Sequence, residues 1–154
     1  MKFRYRDATE DDLEKVAALY RDWEFEDCTR GLVADTNEDL RRRLGPHFIL
    51  ASDAVGRIVG FAIAEESSEH ACVFPRDESY LVLHELYVTH DSRGNGIGSA
   101  LVAAILQSGK SRGIQRFTTY SANRDWQPTL AFYRKFGFGM WSFSMFLDEA
   151  PTIT

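Results

Sequence analysis

The pattern of apolar and polar positions in the first third of the chain predicts one strand followed by two helices. Phe3 to Asp7 alternates as a half-buried strand does. Thr9 with Asp12 three residues later matches an N-cap, and apolar residues then recur at helical spacing, at Leu13, Val16, Ala17 and Tyr20. A second helix is predicted from Asn37 to Leu44, whereas the segment between the two helices has no clear pattern.

The rest of the chain predicts a sheet with two further helices. Strands are predicted at His47 to Ser52 and Arg57 to Glu66, and the long apolar run from Tyr80 to Thr89 is typical of a buried central strand. The later elements are a helix with Leu101, Ala104, Ile105 and Ser108 on one face, a strand over 114–121, a helix over 126–136 and a final strand or hairpin over 138–147. This order predicts a single α/β (α+β) domain with a mixed central sheet flanked by helices.

Composition narrows the classes of function. The net charge is −5, and the only basic run is Arg41 to Arg43, whose side chains would fan around a helix, so nucleic acid is not an expected partner. No apolar run is long enough to cross a membrane, and the first residues do not resemble a signal peptide, which predicts a cytoplasmic protein. Cys28 and Cys72 are expected to be reduced thiols.

The least ordinary stretch is RGNGIG, residues 93–98, between the long apolar strand and a helix. A glycine-rich turn there presents backbone N–H groups at the positive end of the helix dipole, which is typical of a phosphate site. It does not fit the dinucleotide fingerprint, because Ser99 stands at the third glycine position and no acidic residue ends the next strand. Gly109-Lys110-Ser111 matches only the end of a Walker loop and lies at the end of a predicted helix.

What remains is R-x-x-G-x-G, carried by Arg93, Gly96 and Gly98, followed later by AFYRKFGF at 131–138. These two motifs, in this order, resemble the GNAT superfamily (Gcn5-related acyl-coenzyme A N-acyltransferases), with some likeness to the diamine acetyltransferases. The resemblance is detailed over 80–138, and before that only the order of elements is similar. It implies one GNAT domain over 1–154, with an acceptor-side half at 1–79, an acetyl-CoA-binding core at 80–138 and a C-terminal strand region at 139–154.

The resemblance also implies where acetyl-CoA, the acyl donor, would bind. Backbone amides of the glycine turn would hold the pyrophosphate, and the preceding strand would pair with the pantetheine arm. The residues expected to bind the cofactor are Leu86, Tyr87, Val88, Arg93, Gly94, Asn95, Gly96, Ile97, Gly98, Ser99, Asn123 and Tyr133. Asn123 departs from the pattern, because the family often has Asn seven residues before the tyrosine and Trp126 stands there.

Tyr133 and Glu85 are the candidate catalytic residues. A thiolate must leave when an amine attacks the thioester, and Tyr133, which matches the tyrosine of the family motif, can protonate it. Glu85 lies in an otherwise apolar strand, where a carboxylate without a function is costly, so it is either the base or the anchor of a cationic acceptor. A paired structural carboxylate is the alternative. Strand alternation places His84 on the opposite face, as a reserve candidate.

The acceptor pocket is expected in the two segments without a clear pattern, 23–35 and 67–78. Trp23 and Phe25 stand among acidic residues in WEFED and could hold an amine, although a solvated helix end is the more ordinary interpretation. His70 and Cys72 could project to one side, but no further ligand is evident, so no metal is expected.

The sequence therefore predicts an acetyl-CoA-dependent N-acetyltransferase that acts by direct attack of a primary amine, with a small cationic acceptor. Two alternatives stay open: a protein lysine or N-terminal acetyltransferase, and a non-catalytic acyl-CoA-binding sensor. A homodimer is expected because the family often pairs through its sheets or C-terminal strands.

Overall fold

The computed structural model describes residues 3–69, 71, 73–75 and 78–148. Its centre is a five-stranded sheet in the order β1-β2-β3-β4-β5, with four α-helices. The strands are β1 Arg4–Asp7, β2 Phe48–Ser52, β3 Ile58–Ser67, β4 Tyr80–Val88 and β5 Phe117–Thr119. The helices are α1 Leu13–Phe25, α2 Asn37–Arg42, α3 Ile97–Ser111 and α4 Trp126–Arg134.

The sheet changes from antiparallel to parallel at its last pair. The strands β1 to β4 pair antiparallel, and β5 pairs parallel to β4 after the crossover through α3. The last pairing covers only Leu81–Leu83 against Phe117–Thr119, although β4 continues to Val88. The second half of β4 therefore has no paired neighbour on its β5 side within the described part of the chain, and a gap opens there.

Two hydrophobic layers cover the sheet. On one face α1 and α2 pack over a cluster that includes Tyr20, Phe61 and Tyr87, and on the other face α3 packs over a cluster that includes Val59 and Leu101. Leu86 and Val88 join the α3 layer, whereas Tyr87 joins the α1 layer, as strand alternation requires. The end of β4 is thus held from both faces, which fixes its position next to the gap.

The helix start at Thr9 forms as the sequence predicts, with an added ion pair. Asp12 accepts hydrogen bonds from the backbone N–H and the hydroxyl of Thr9, both at 2.9 Å. Its two carboxylate oxygens also accept from the Arg6 guanidinium of β1, both at 2.7 Å. These hydrogen bonds lower the pKa of Asp12 well below its usual range, and the bonds from Arg6 have the largest effect. The carboxylate ties α1 to the edge of the sheet.

We expect Asp12→Asn to lower the free energy of unfolding by about 2–3 kcal/mol at neutral pH, because the Asp12 side chain is only 5% exposed. Because folding lowers this pKa, the stabilisation is present above the pKa of an unfolded aspartate, about 4, and is lost as the pH falls further. Urea titrations at pH 7 and at pH 3 measure both effects. Asp11→Asn, at the exposed neighbouring position, is the control, and equal losses in the two variants would contradict the prediction.

The predicted elements up to α4 are confirmed, with ends that differ by a few residues. The predicted final strand or hairpin over 138–147 is wrong: in the described residues this segment forms no strand, and Phe143 and Met145 are 80% and 84% exposed. Alternating apolar residues make a strand only where a neighbouring strand can complete the ladder of hydrogen bonds. Among the described residues, no helix is long and apolar enough to cross a lipid bilayer.

Candidate functional site

The turn between β4 and α3 is an open loop of backbone amides. Gly94 and Gly96 have φ of +77° and +76°, the left-handed region that favours glycine. A Cβ atom built on either would meet nothing within 4 Å, so the space beside the loop is open. The side-chain amide of Asn95 donates to the carbonyls of Ser92 (3.0 Å) and Arg93 (3.2 Å), which holds the turn in shape without using its own N–H groups.

The amides of residues 94–99 all remain available to a ligand. Within the described chain none of them donates to a protein acceptor, and the first to do so is that of Ala100, to the carbonyl of Gly96. The Arg93 amide differs, because it donates to the carbonyl of His90 at 3.3 Å. Six successive free amides at the N-terminus of a long helix are typical of an anion site, and this is where the sequence predicts the pyrophosphate.

Tyr133, near the end of α4, packs on the same face of the sheet as Ile97, which begins α3 after this loop. Its ring packs edge-on against Phe132 and Phe138, and Phe132 in turn lies 3.7 Å from the position of a Cβ on Gly98. Burial raises the pKa of the Tyr133 phenol; the Thr119 hydroxyl opposes this rise and the charge of Glu85 adds to it. The phenol is therefore neutral near pH 7 and still carries the proton that an acid must donate.

Glu85, on the second half of β4, belongs to a half-buried charge cluster around Arg43. The Arg43 guanidinium donates to Asp35 (2.9 Å), to Glu65 (3.1 Å) and to Glu85 (3.3 Å). The side chains of Arg43 and Glu85 are only 17% and 19% exposed. Three carboxylates thus face one guanidinium, which leaves the cluster with excess negative charge.

The pKa of Glu85 is higher than that of an ordinary glutamate. Burial is the largest cause, and it outweighs the opposing effects of Arg43 and of the Tyr20 hydroxyl. A carboxylate with a raised pKa is a better proton acceptor than an exposed one.

His84 lies in the same cluster as Glu85, so the expectation that it faces the opposite side is wrong. The register between β3 and β4 shifts between Ile63 and Ala64, which pair with Glu85 and Leu83 and leave His84 as the extra residue of a β-bulge. Its Nε2 lies 3.5 Å from Glu65, and its Nδ1 lies 2.9 Å from the hydroxyl of Tyr120. Burial lowers its pKa, with a further contribution from Arg43 and despite Glu65, so the imidazole is neutral near pH 7.

The sequence also matches a known protein family. The profile of the Acetyltransferase (GNAT) family matches residues 11–138. The chain belongs to the GNAT acetyltransferase family. Membership implies acetyl-CoA as the acyl donor, and the free amides, the gap beside β4 and the half-buried phenol fit such a substrate.

Several GNAT proteins resemble this one. A mycothiol acetyltransferase of Pseudarthrobacter chlorophenolicus is 32% identical over 97 residues, 61% of this chain and 28% of that protein. An L-methionine sulfoximine/L-methionine sulfone acetyltransferase of Pseudomonas aeruginosa is 28% identical over 128 residues, 74% of this chain and 67% of that protein. The structure of an aminoglycoside N-acetyltransferase in complex with CoA has a TM-score of 0.75 and 18% identity, over 96% of this chain and 95% of that one.

The extent of the likeness differs among these proteins. The chain spans less than a third of the length of the mycothiol acetyltransferases that it matches. At 18% identity the likeness to the aminoglycoside enzyme shows the fold alone. These relatives show the GNAT family and its fold. They do not show the expected likeness to the diamine acetyltransferases in particular.

The acidic segment WEFED of this GNAT domain is largely paired within the protein. Trp23 stacks on Tyr87 with ring centroids 5.3 Å apart, and Phe25 is 92% exposed. Glu26 and Asp27 form ion pairs with Arg93 (2.6 Å) and Arg124 (2.8 Å). Both carboxylates are thus paired within the protein. The other expected pair, at positions 70 and 72, lies outside the described residues.

Asn123 lies between β5 and α4, where its own turn uses the side chain. The side-chain oxygen of Asn123 accepts a hydrogen bond from the backbone amide of Asp125 at 2.9 Å. The backbone of Asn123 forms an isolated antiparallel bridge with Thr29. The amide nitrogen of the side chain is left as the group that could reach acetyl-CoA, which stays a prediction.

Arg43 is a site residue that the sequence did not indicate, whereas its partner Asp35 ends the segment 23–35 in which the acceptor pocket is expected. Arg43 belongs to the RRR run, whose other two members pair with acidic groups on the exposed surface at Glu10, Glu38 and Asp39. Only the end of α2 turns the third guanidinium inward, so no local pattern distinguishes it. The sequence feature that could have indicated Arg43 is the pair of glutamates on β3 and β4, Glu65 and Glu85, because two carboxylates on adjacent strands require a nearby cation.

Proposed function

We propose that this protein is an acetyl-CoA-dependent N-acetyltransferase whose acceptor is a primary amine on a small cationic molecule. The row of free amides at residues 94–99 carries the proposal, and it leads into Ile97, which shares a hydrophobic cluster with Tyr133. It supplies a phosphate site next to a gap in the sheet, and the candidate acid and base both lie along that gap.

The proposed reaction is direct transfer. The amine nitrogen attacks the thioester carbonyl carbon, the C–S bond breaks, and the acetyl group ends on nitrogen. Glu85 accepts the proton that the nitrogen loses, and the Tyr133 phenol donates a proton to the leaving sulfur. Both groups regain their starting state by exchange with water, so no covalent enzyme intermediate is needed.

The charge around Glu85 supports a cationic acceptor. Asp35, Glu65 and Glu85 outnumber the single guanidinium of Arg43, and His84 is held neutral. The remaining negative charge attracts a cation and disfavours an anion at the same place. The relatives' names include an aminoglycoside and L-methionine sulfone, each of which carries a primary amine.

The test is acetyl-CoA turnover, followed as release of free thiol, with spermidine, L-methionine sulfone and sisomicin as acceptors. We expect saturable turnover with at least one of them, and weaker acceptor binding at high salt, because the attraction is electrostatic. Calorimetric titration with CoA is the parallel measurement. Binding without turnover on any amine would favour a protein substrate or a sensor, and absence of CoA binding would overturn the proposal.

Two further expectations stay predictions. A homodimer is supported by the exposed apolar side chains of 140–147, which a second copy could cover, and sedimentation velocity would measure it. The cytoplasmic location rests on the sequence alone, and fractionation of cells would test it.

A further inference from the structure

Glu26, the residue after α1, holds the end of β4 and the phosphate loop together. One carboxylate oxygen accepts from the hydroxyl of Tyr87 at 2.7 Å, and the other accepts from the Arg93 guanidinium at 2.6 Å. The Nε of Arg93 donates in turn to the carbonyl of Val88 at 2.9 Å. The Glu26 side chain is 21% exposed and that of Arg93 is 42% exposed, whereas Tyr87 is buried, so the bond to Tyr87 is the better shielded from water.

The chain that follows Glu26 crosses to the far side of the gap. We call residues 26–30 the strap. The amide of Arg30 donates to the carbonyl of Ala122, and the amide of Arg124 donates to the carbonyl of Cys28, both at 2.9 Å. The Arg124 guanidinium binds both the carbonyl and the carboxylate of Asp27, each at 2.8 Å.

The strap therefore has one anchor on β4 and one on the connection between β5 and α4. Those are the two sides of the gap, and the strap joins them on the face that carries α1, Tyr87 and the Glu85 cluster. The phosphate loop and Tyr133 approach from the α3 face. The strap and the Glu85 cluster thus lie on the same face of the sheet, the face on which we expect the acceptor to enter.

We propose that Glu26 is a positioning residue for acceptor binding, because it anchors the acceptor-side strap to Arg93 and Tyr87. The role of the strap rests on the proposed function. Arg93 belongs by sequence to the acetyl-CoA motif, but its side chain is turned away from the open amides and used as the anchor. Glu26→Gln frees this guanidinium beside the phosphate loop, where a positive charge favours a phosphate, while it loosens the strap.

The expected result is a split between the two substrates. Glu26→Gln raises the KM for the acceptor about tenfold, as loss of one charge-assisted hydrogen bond does, and leaves the KM and Kd for acetyl-CoA equal or lower. A general loosening of the fold would weaken both. Glu24→Gln, which removes the same charge from an exposed position on α1, is the matched control and is expected to change neither.

Hydrogen exchange tests the anchor without any acceptor. The amides of Arg30 and Arg124, which join the strap to 122–124, are expected to exchange about tenfold faster in Glu26→Gln and at the wild-type rate in Glu24→Gln. Unchanged exchange and unchanged acceptor KM would overturn the role of Glu26, even if wild-type turnover establishes the enzyme. Absence of wild-type CoA binding would instead overturn the proposed function, with the exchange result still deciding the anchor.

A second variant protects the test against misfolding. Arg124→Gln removes the side-chain bonds of the opposite anchor, leaves its backbone bonds in place, and changes a side chain that is 45% exposed, so the fold is not at risk. It is expected to raise the acceptor KM and to accelerate exchange at Arg30. Wild-type values for both in Arg124→Gln would count against the strap itself.

Discussion

Replacing Tyr133 by Phe is expected to lower kcat at least about 100-fold while the Kd for CoA stays within about twofold of wild type. In the proposed reaction the phenol oxygen makes its decisive contact only when the sulfur leaves, so its loss would raise the barrier of the chemical step and leave binding unchanged. Phe keeps the edge-on packing with Phe132 and Phe138. Steady-state kinetics and calorimetry on the same preparation separate the two quantities.

The pKa of Tyr133 supports this assignment. Burial and the charge of Glu85 both raise it, so the phenol does not ionise across the usual assay range and remains a proton donor. Tyr5→Phe is the matched control, because Tyr5 lies on β1 at the opposite edge of the sheet. A Tyr133→Phe variant with nearly wild-type kcat would exclude the acid role, and water would then protonate the thiolate.

Local sequence was enough to predict the parts of the site that one continuous segment builds. The long strand, the glycine turn and the helix after it follow each other within residues 80–111, and each pattern depends only on near neighbours. The open amides follow from the glycine turn, because the first N–H groups of a helix have no acceptor within the helix and Gly96, at the N-cap of α3, has no side chain to accept from them.

The parts that could not be predicted depend on contacts between distant segments. His84 changes face because β4 carries one residue more than β3 in their pairing, and strand alternation alone cannot reveal a bulge. Arg43 enters the site because carboxylates from β3, β4 and the segment before α2 meet there. The segment 138–147 alternates like a strand, but pairing depends on a neighbour that its own sequence does not specify.

Glu85→Gln is expected to lower kcat about 100-fold and to remove one limb of the pH profile. The base must be ionised to accept a proton, so wild-type kcat falls as the pH decreases through the pKa of Glu85. Because burial raises this pKa, the fall begins at a higher pH than for an exposed glutamate. In the variant the pH profile of kcat loses the fall that protonation of Glu85 causes. The pH profile of kcat/KM keeps the fall that protonation of the acceptor amine causes.

Glu65→Gln is the matched control for this variant. Glu65 also accepts from Arg43, at 3.1 Å, but its side chain is 48% exposed and points toward His84, so its loss changes the charge of the cluster without removing the base. Folding raises the pKa of Glu85, which means that its ionisation costs stability above its usual pKa. Glu85→Gln is therefore expected to keep the wild-type melting temperature, and a large drop would point to misfolding.

The two kinetic constants decide between the two roles left open for Glu85. A base acts in the chemical step, so its loss lowers kcat and removes the limb of the kcat profile, with little change in the acceptor KM. An anchor acts in binding, so its loss raises the acceptor KM, leaves kcat unchanged, and is reproduced in part by Glu65→Gln, because both carboxylates contribute to the negative charge around Arg43. Because the pKa of Glu85 is raised although Arg43 lies 3.3 Å away, its environment favours the uptake of a proton, and we expect the first result.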